Sequence, residues 1–304
     1  MLDVSHIRVG EVIAGKYRVE RPLGAGGMGV VFAATHLALD QLVALKVLRI
    51  EDAVPPSILE RFVREARAAV RLRSEHVARV LDVAVTEGGL PYIVMEYLEG
   101  EDLSASLRRI GALDPGQAVD LVLQALEAVA EAHALGIVHR DLKPANLFVT
   151  TGPDASPLVK VLDFGISKMQ VEGGHDLTRS HQILGSPDYM SPEQLTSAKD
   201  VDARADLWSL GVVLYELLSG TRPFVAESLP EMFAKIVYEP SPALADARPG
   251  LPPGLCAAVD RCLAKRASDR FRDVAELAVA IAPFGAGLSG TTPRRIRGIL
   301  TAER

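Results

Sequence analysis

The sequence predicts an α+β fold in two lobes, a small sheet-rich one followed by a larger, mainly helical one. Three observations carry this expectation. Short apolar segments alternate with turns over the first third, long helical patterns take over from Gly100, and the change falls near residues 96–102. With 304 residues, nearly half of them apolar, the chain is long enough to give each lobe its own core.

In the first lobe, residues 17–23, 30–36 and 42–49 read as strands, although their Ala and Leu content leaves a helical reading of 30–48 open. The stretch "PPSILERFVREARAAVRL" reads as a helix. Ser57 and Glu60 have capping-box spacing after a Pro pair, and Phe62, Ala66, Ala69 and Val70 form its apolar face. "HVARVLDVAV" and "PYIVMEYL" are two further strands around "TEGGL". Helices are then expected over 115–136, 203–219, 226–237, 253–264 and 273–281. A strand pair, 147–150 and 159–163, lies between the first two, followed by a long segment without clear periodicity. The end, "PFGAGLSGTTPRRIRGILTAER", is rich in Gly, Pro and Thr and then basic, and reads as a linker. No internal repeat is visible.

Composition excludes several classes. A formal charge of −6 argues against a general nucleic-acid binder. Cys256 and Cys262 form no disulfide framework and lack zinc-ligand spacing, which fits a reducing compartment. "MLDVSHIRVG" has no signal-peptide pattern. "LWSLGVVLYELLSG" is short and contains Glu216, so a buried helix is expected there and not a membrane span.

Several motifs carry chemistry. "PLGAGGMGVVF" has G-x-G-x-x-G spacing at Gly24, Gly26 and Gly29, a turn whose backbone N–H groups can approach phosphates. Two unrelated nucleotide-binding designs share it. The dinucleotide design needs an acidic residue closing a second strand about 20 residues on, where "LVALKVL" offers Lys46. Glu65 sits on or beside the apolar face of its helix, where a carboxylate needs a cation. Lys46 is a candidate, and a surface pair with Arg61 is the alternative. "VHRDLKPANLFV" and "VLDFGISK" flank the later strand pair. If those strands form an antiparallel hairpin, Asn146 lies opposite Asp163, a hard-oxygen pair suited to Mg²⁺, with Asp141 as a third oxygen group.

Taken in order, these residues resemble the eukaryotic-type (Hanks-type) serine/threonine protein kinases, and most closely their bacterial branch. The resemblance covers roughly residues 17–282. It rests on the glycine loop with Val31, "VALK" at 43–46, Glu65, "HRDLKPAN", "DFG" at 163–165, "SPE" at 191–193, "DLWSLG" at 206–211 and Arg270. It implies the two-lobed protein-kinase fold, with a kinase domain over 17–282 (lobes 17–98 and 99–282), an N-terminal extension over 1–16 and a flexible basic tail over 283–304.

The resemblance also implies roles. Gly24, Ala25, Gly26, Gly27, Met28 and Gly29 fold over the ATP phosphates, and Lys46, oriented by Glu65, holds the α- and β-phosphates. Asp163 and Asn146 hold Mg²⁺, with Mn²⁺ as an alternative. Asp141 orients the substrate hydroxyl and accepts its proton, and Lys143 steadies the phosphoryl group. Leu23, Val31, Ala44, Met95 and Phe148 line the adenine slot, backbone groups of Glu96 and Leu98 read the base edge, and Asp102 faces the ribose. Lys143 places the chain in the serine/threonine group, and Ser186 lies in the segment that receives substrate. Glu193 pairs with Arg270, and Asp206 braces the backbone around Arg140. Thr178 and Ser180 are the expected activating phosphorylation sites, with a homodimer for trans-autophosphorylation. A cytoplasmic signalling enzyme is implied, or the cytoplasmic part of a longer membrane-anchored receptor kinase. A catalytically dead scaffold is disfavoured because Lys46, Asp141 and Asp163 are all present. A small-molecule phosphotransferase would lack the long segment from 163 to 193.

Overall fold

A computed structural model describes residues 7–26, 29–48, 69–86, 88–164, 187–197, 201–287 and 290–302. The helix expected around Glu65 falls almost wholly outside them. The chain divides into two compact units.

The first unit is a six-stranded antiparallel sheet in the order β1-β2-β3-β4-β6-β5. Its strands are β1 (Val12–Ile13), β2 (Tyr17–Gly26), β3 (Gly29–His36), β4 (Gln41–Leu48), β5 (Val80–Val85) and β6 (Pro91–Glu96). Tertiary pairing thus decides the open reading of 30–48 in favour of strand. Alternation sorts the side chains. Val43, Leu45 and Val47 join Phe32, Ala34, Tyr92 and Val94 in one core cluster, so Ala44 and Lys46 point to the opposite face. The sheet begins before residue 17. Val12 pairs with Arg18 and Ile13 with Tyr17, and Gly10 N donates to Val19 O at 2.7 Å, so these residues of the expected extension belong to the fold.

The second unit holds a three-stranded sheet, β7 (Gly100–Asp102), β8 (Leu147–Thr151) and β9 (Pro157–Val161), together with Ser74–Val77 and the helices. These are α1 (Leu103–Ile110), α2 (Pro115–Ala134), α3 (Pro192–Thr196), α4 (Arg204–Ser219), α5 (Leu229–Tyr238), α6 (Leu244–Ala247), α7 (Pro253–Cys262), α8 (Val274–Ile281) and α9 (Thr292–Thr301). The termini follow local chemistry. The Asp114 side chain caps α2 with Pro115 at its first position, and α4 stops on Gly220 in the left-handed conformation. Trp208 on α4 is fully buried and stacks on Phe224 at 5.9 Å.

The end of the chain departs from the linker expected over 283–304. Residues 292–301 form α9, which packs on α2 and α8. Thr292 and Ile296, one turn apart, are buried, and Pro293 occupies the first turn, where its missing N–H costs no hydrogen bond. Among the described residues no helix is long and apolar enough to cross a membrane.

Candidate active site

Residues 135–146 connect α2 to β8, and the stretch from His139 carries a polar cluster. Lys143 Nζ lies 3.0 and 2.8 Å from the two carboxylate oxygens of Asp141. Asn146 closes a short 3₁₀ turn begun by Pro144. Its amide nitrogen donates to the Asp141 carbonyl at 2.7 Å and to Asp141 Oδ2 at 3.1 Å. One carboxylate is thereby gripped from two sides.

The loop's backbone is braced from α4. Asp206, fully buried, accepts from His139 N at 2.9 Å, from Arg140 N at 2.8 Å and from His133 Nε2 at 2.7 Å. Burial works to raise the Asp206 carboxyl, but the His133 bond and charge, the His139 charge and the Arg140 N–H outweigh it, and its pKa is lowered. This brace holds Arg140 at φ 67°, a left-handed conformation unfavourable for a side chain with a Cβ. Gln194 fixes the other side of the same residue, its Nε2 donating to Arg140 O at 2.8 Å.

The strand pair is an antiparallel hairpin, with Leu147 opposite Val161. Leu162 N donates to the Asn146 carbonyl at 2.9 Å, so Asn146 stands opposite Leu162 and one residue short of Asp163. The expected direct opposition is therefore off by one. Asp163, just past the strand, has φ 61°, left-handed like Arg140. The His139 ring lies 2.9 Å from the Leu162 carbonyl and packs edge-on against Phe164 at 4.7 Å, tying the 139–146 loop to this junction.

Downstream, Glu193 and Arg270 form a bidentate pair at 2.7 and 2.8 Å. Arg270, with no exposed side-chain surface, also donates to the Ala264 and Arg204 carbonyls and lies over the Trp208 ring. Burial pushes Glu193 up, but Arg270 outweighs it and the pKa is lowered. Asp206 and Glu193 thus take the places expected for them. Beside them, Tyr189 donates to Glu216 at 2.5 Å and Arg222 pairs with Asp188.

In the first unit, Lys46 is 5% exposed on the sheet face away from the core. Register puts Val31 beside Lys46 and Met95 beside Ala44, so three of the expected adenine-wall residues share the lysine's face. Leu23 lies at a bulge of β2 and is 41% exposed. Gly29 has φ 151°, and a Cβ there would run into the Val47 carbonyl, so glycine is required where β3 begins. Glu96 N donates to Arg79 O at 2.9 Å, so its N–H is not what a base edge would meet. In the second unit Asp102 pairs across β7–β8 with Phe148, and its Oδ1 caps α1 through Ala105 N at 2.9 Å. Gly27, Met28, Glu65, Thr178, Ser180 and Ser186 lie outside the described residues.

Sequence reasoning did not single out Gln194, His133 or the His139 side chain. The spacing of Ser191 and Gln194, a capping box at the start of α3, was available as a local signal. Nothing local announces the long-range bonds to Arg140 and Asp206.

Residues 17–276 match the protein kinase domain family. The chain is 42% identical over 266 residues to serine/threonine-protein kinase pkn3 of Myxococcus xanthus, covering 86% of this chain and 48% of that protein. It is 38% identical over 285 residues to serine/threonine-protein kinase PknA of Mycobacterium tuberculosis, covering 92% of this chain and 64% of that one. It therefore spans less than two thirds of either relative. The crystal structure of the Mycobacterium tuberculosis PknI kinase domain superposes with a TM-score of 0.70 at 29% identity, covering 92% of this chain and all of that one. With the matched residues including the Asp141 loop and its Asp206 brace, the chain belongs to the protein kinase family, in its bacterial Hanks-type serine/threonine branch.

Proposed function

We propose that this chain transfers the γ-phosphoryl group of Mg²⁺-ATP, or of Mn²⁺-ATP, to serine and threonine hydroxyls of proteins. The observation that supports it most is the Asp141–Lys143–Asn146 cluster on a loop braced by Asp206. In this reading Asp141 orients the acceptor hydroxyl and takes its proton, and Lys143 moves from that carboxylate to the transferring group. The Asn146 amide nitrogen is committed to Asp141, which leaves its oxygen to face a cation together with Asp163. Such oxygen donors suit Mg²⁺, which keeps waters and borrows phosphate oxygens. Among the described residues no cluster of three His, Cys, Asp or Glu side chains forms an all-protein cage. When bound, the metal offsets triphosphate charge. Lys46, with Glu65, binds the phosphates under the loop from Gly24 to Gly29, and Val31, Ala44, Met95 and Phe148 enclose the adenine. Phosphate on Thr178 and Ser180, delivered between two copies of the chain in the cytoplasm, would recruit Arg140 and activate the enzyme, with Ser186 beside the bound substrate.

Asp141→Asn keeps the shape of the loop and removes the proton acceptor, so phosphate incorporation measured by mass spectrometry should fall by ~10²–10⁴. Near wild-type turnover in folded Asp141→Asn would overturn the reading. ATP at a hundredfold excess over its Kd should stabilise the wild type by ~2.7 kcal/mol when Mg²⁺ is present. Asp163→Ala should lose the metal-dependent part of that gain.

A further inference from the structure

A polar stripe runs along α2, a helix that is otherwise apolar and mostly buried. Asp120, Gln124, Glu127 and Glu131 recur at helical spacing, and each has a specific task. Asp120 accepts from Gly287 N at 2.8 Å. Gln124 accepts from Val159 N at 2.8 Å and donates to Pro157 O at 3.1 Å, so it reads the edge of β9. Glu131 accepts from Ser74 N at 2.7 Å. Glu127, only 3% exposed, is met by Arg295 of α9 at 2.9 Å and by the Thr292 hydroxyl.

Between Glu127 and β9 stands His76. Its Nε2 is 4.0 Å from Glu127 Oε2, its Nδ1 is 3.0 Å from the Val159 carbonyl, and its own carbonyl accepts from Val161 N at 2.8 Å. Val77 then bridges in parallel to Val161. The residues that follow that strand are Leu162, bonded to Asn146, and Asp163.

We propose that Arg295 is a positioning residue for Asp163, acting through Glu127 and His76 on the seating of β9. A carboxylate this buried needs a cation. Burial, with a smaller push from the Glu75 charge, holds the Glu127 carboxyl above its ordinary value although Arg295 and Thr292 pull it down. Without Arg295, Glu127 takes a proton or draws in the imidazole. Either change disturbs the ring that holds Val159 and the carbonyl that holds Val161. Ile296, Thr292 and the Asp120–Gly287 bond keep the end of the chain docked when only Arg295 is altered. The proposal rests on the reading of Asp163 as a metal ligand, and it makes the supposed linker part of the active-site scaffold.

The test compares Arg295→Ala and Arg295→Lys with Arg294→Ala, a neighbouring exposed arginine. In hydrogen exchange read by mass spectrometry, Arg295→Ala should speed exchange severalfold over 74–77 and 157–164, Arg295→Lys should restore most of the protection, and Arg294→Ala should match wild type. The Mg²⁺ concentration for half-maximal rate should rise ~3–10-fold in Arg295→Ala, below the ~10–100-fold of a direct outer-shell partner. If α9 itself comes loose in Arg295→Ala, the double variant Glu127→Gln/Arg295→Ala, which buries no charge, decides, because it should recover protection over 157–164. Wild-type exchange there in Arg295→Ala, or faster exchange with an unchanged Mg²⁺ requirement, overturns the proposal. Absence of phosphoryl transfer in every sample, wild type included, would instead overturn the kinase reading and leave the exchange result to judge the coupling.

Discussion

Replacing Asp206 by Asn tests how the 139–146 loop is held. The carboxylate accepts three hydrogen bonds, one oxygen serving Arg140 N and the other serving His139 N and His133. An amide has one acceptor atom. If its oxygen faces Arg140, its NH₂ confronts the buried His139 N–H. If it is turned round, the NH₂ confronts Arg140 N–H. Either way one backbone donor is left unpaired, at ~1–3 kcal/mol, and the surviving bonds lose their charge assistance. A loss of about 3 kcal/mol corresponds to a Tm lower by about 6–12 °C, at ~2–4 °C per kcal/mol for chains of this order of size. Calorimetry reads the Tm, and hydrogen exchange reads the amides of His139 and Arg140, which should lose protection first. The sign with pH is set by the lowered pKa of Asp206. Its stabilisation is complete above the unfolded value near 3.8 and is lost as pH falls through the folded value, so the deficit persists through neutral pH and closes only in acid. An Asn variant with the Tm of wild type to within ~1 °C and unchanged exchange in the loop would refute the brace.

Two further outcomes follow from buried groups. Glu193→Ala strands the Arg270 guanidinium without its partner and should cost about 3–5 kcal/mol in thermal or urea unfolding. Because the Glu193 pKa is lowered from 4.5, the gap to wild type should narrow as pH falls through the folded value, and a gap that widens in acid would contradict the ion pair. Cys262 is buried, and burial pushes its thiol up to about 12, so iodoacetamide at neutral pH should label it only after denaturation. A Cys262 adduct on the folded protein, located by peptide mass mapping, would refute that.

Much of the site was legible because its residues lie on strands and tight turns whose geometry is local. The alternation around Lys46 and the hairpin from Asn146 to Asp163 follow from period-two patterning and one turn, and only the register escaped, by one residue. The docked end was hidden because its Gly, Pro and Thr residues read as a linker while α9 buries just Thr292 and Ile296 in ten residues, too sparse a face to detect. The brace on Arg140 spans 66 residues of sequence, so its partner could be named only by resemblance to a family. Asp102 concealed a helix start, since its reading as a ribose contact drew attention from its capping of α1.

The alternation in β4 has a consequence for how this chain can change over evolution. Core residues and Lys46 occupy neighbouring positions on opposite faces, so a deletion or insertion of one residue between Gln41 and Lys46 would exchange the faces, driving the ammonium into the cluster around Leu45 and turning valines outward. Changes of side chain in β4 can be absorbed singly, whereas a change of length cannot. Viable length variation in the first unit is therefore confined to its turns, such as 37–40 between β3 and β4, and a scan of single-residue deletions should find β4 silent of survivors and that turn permissive.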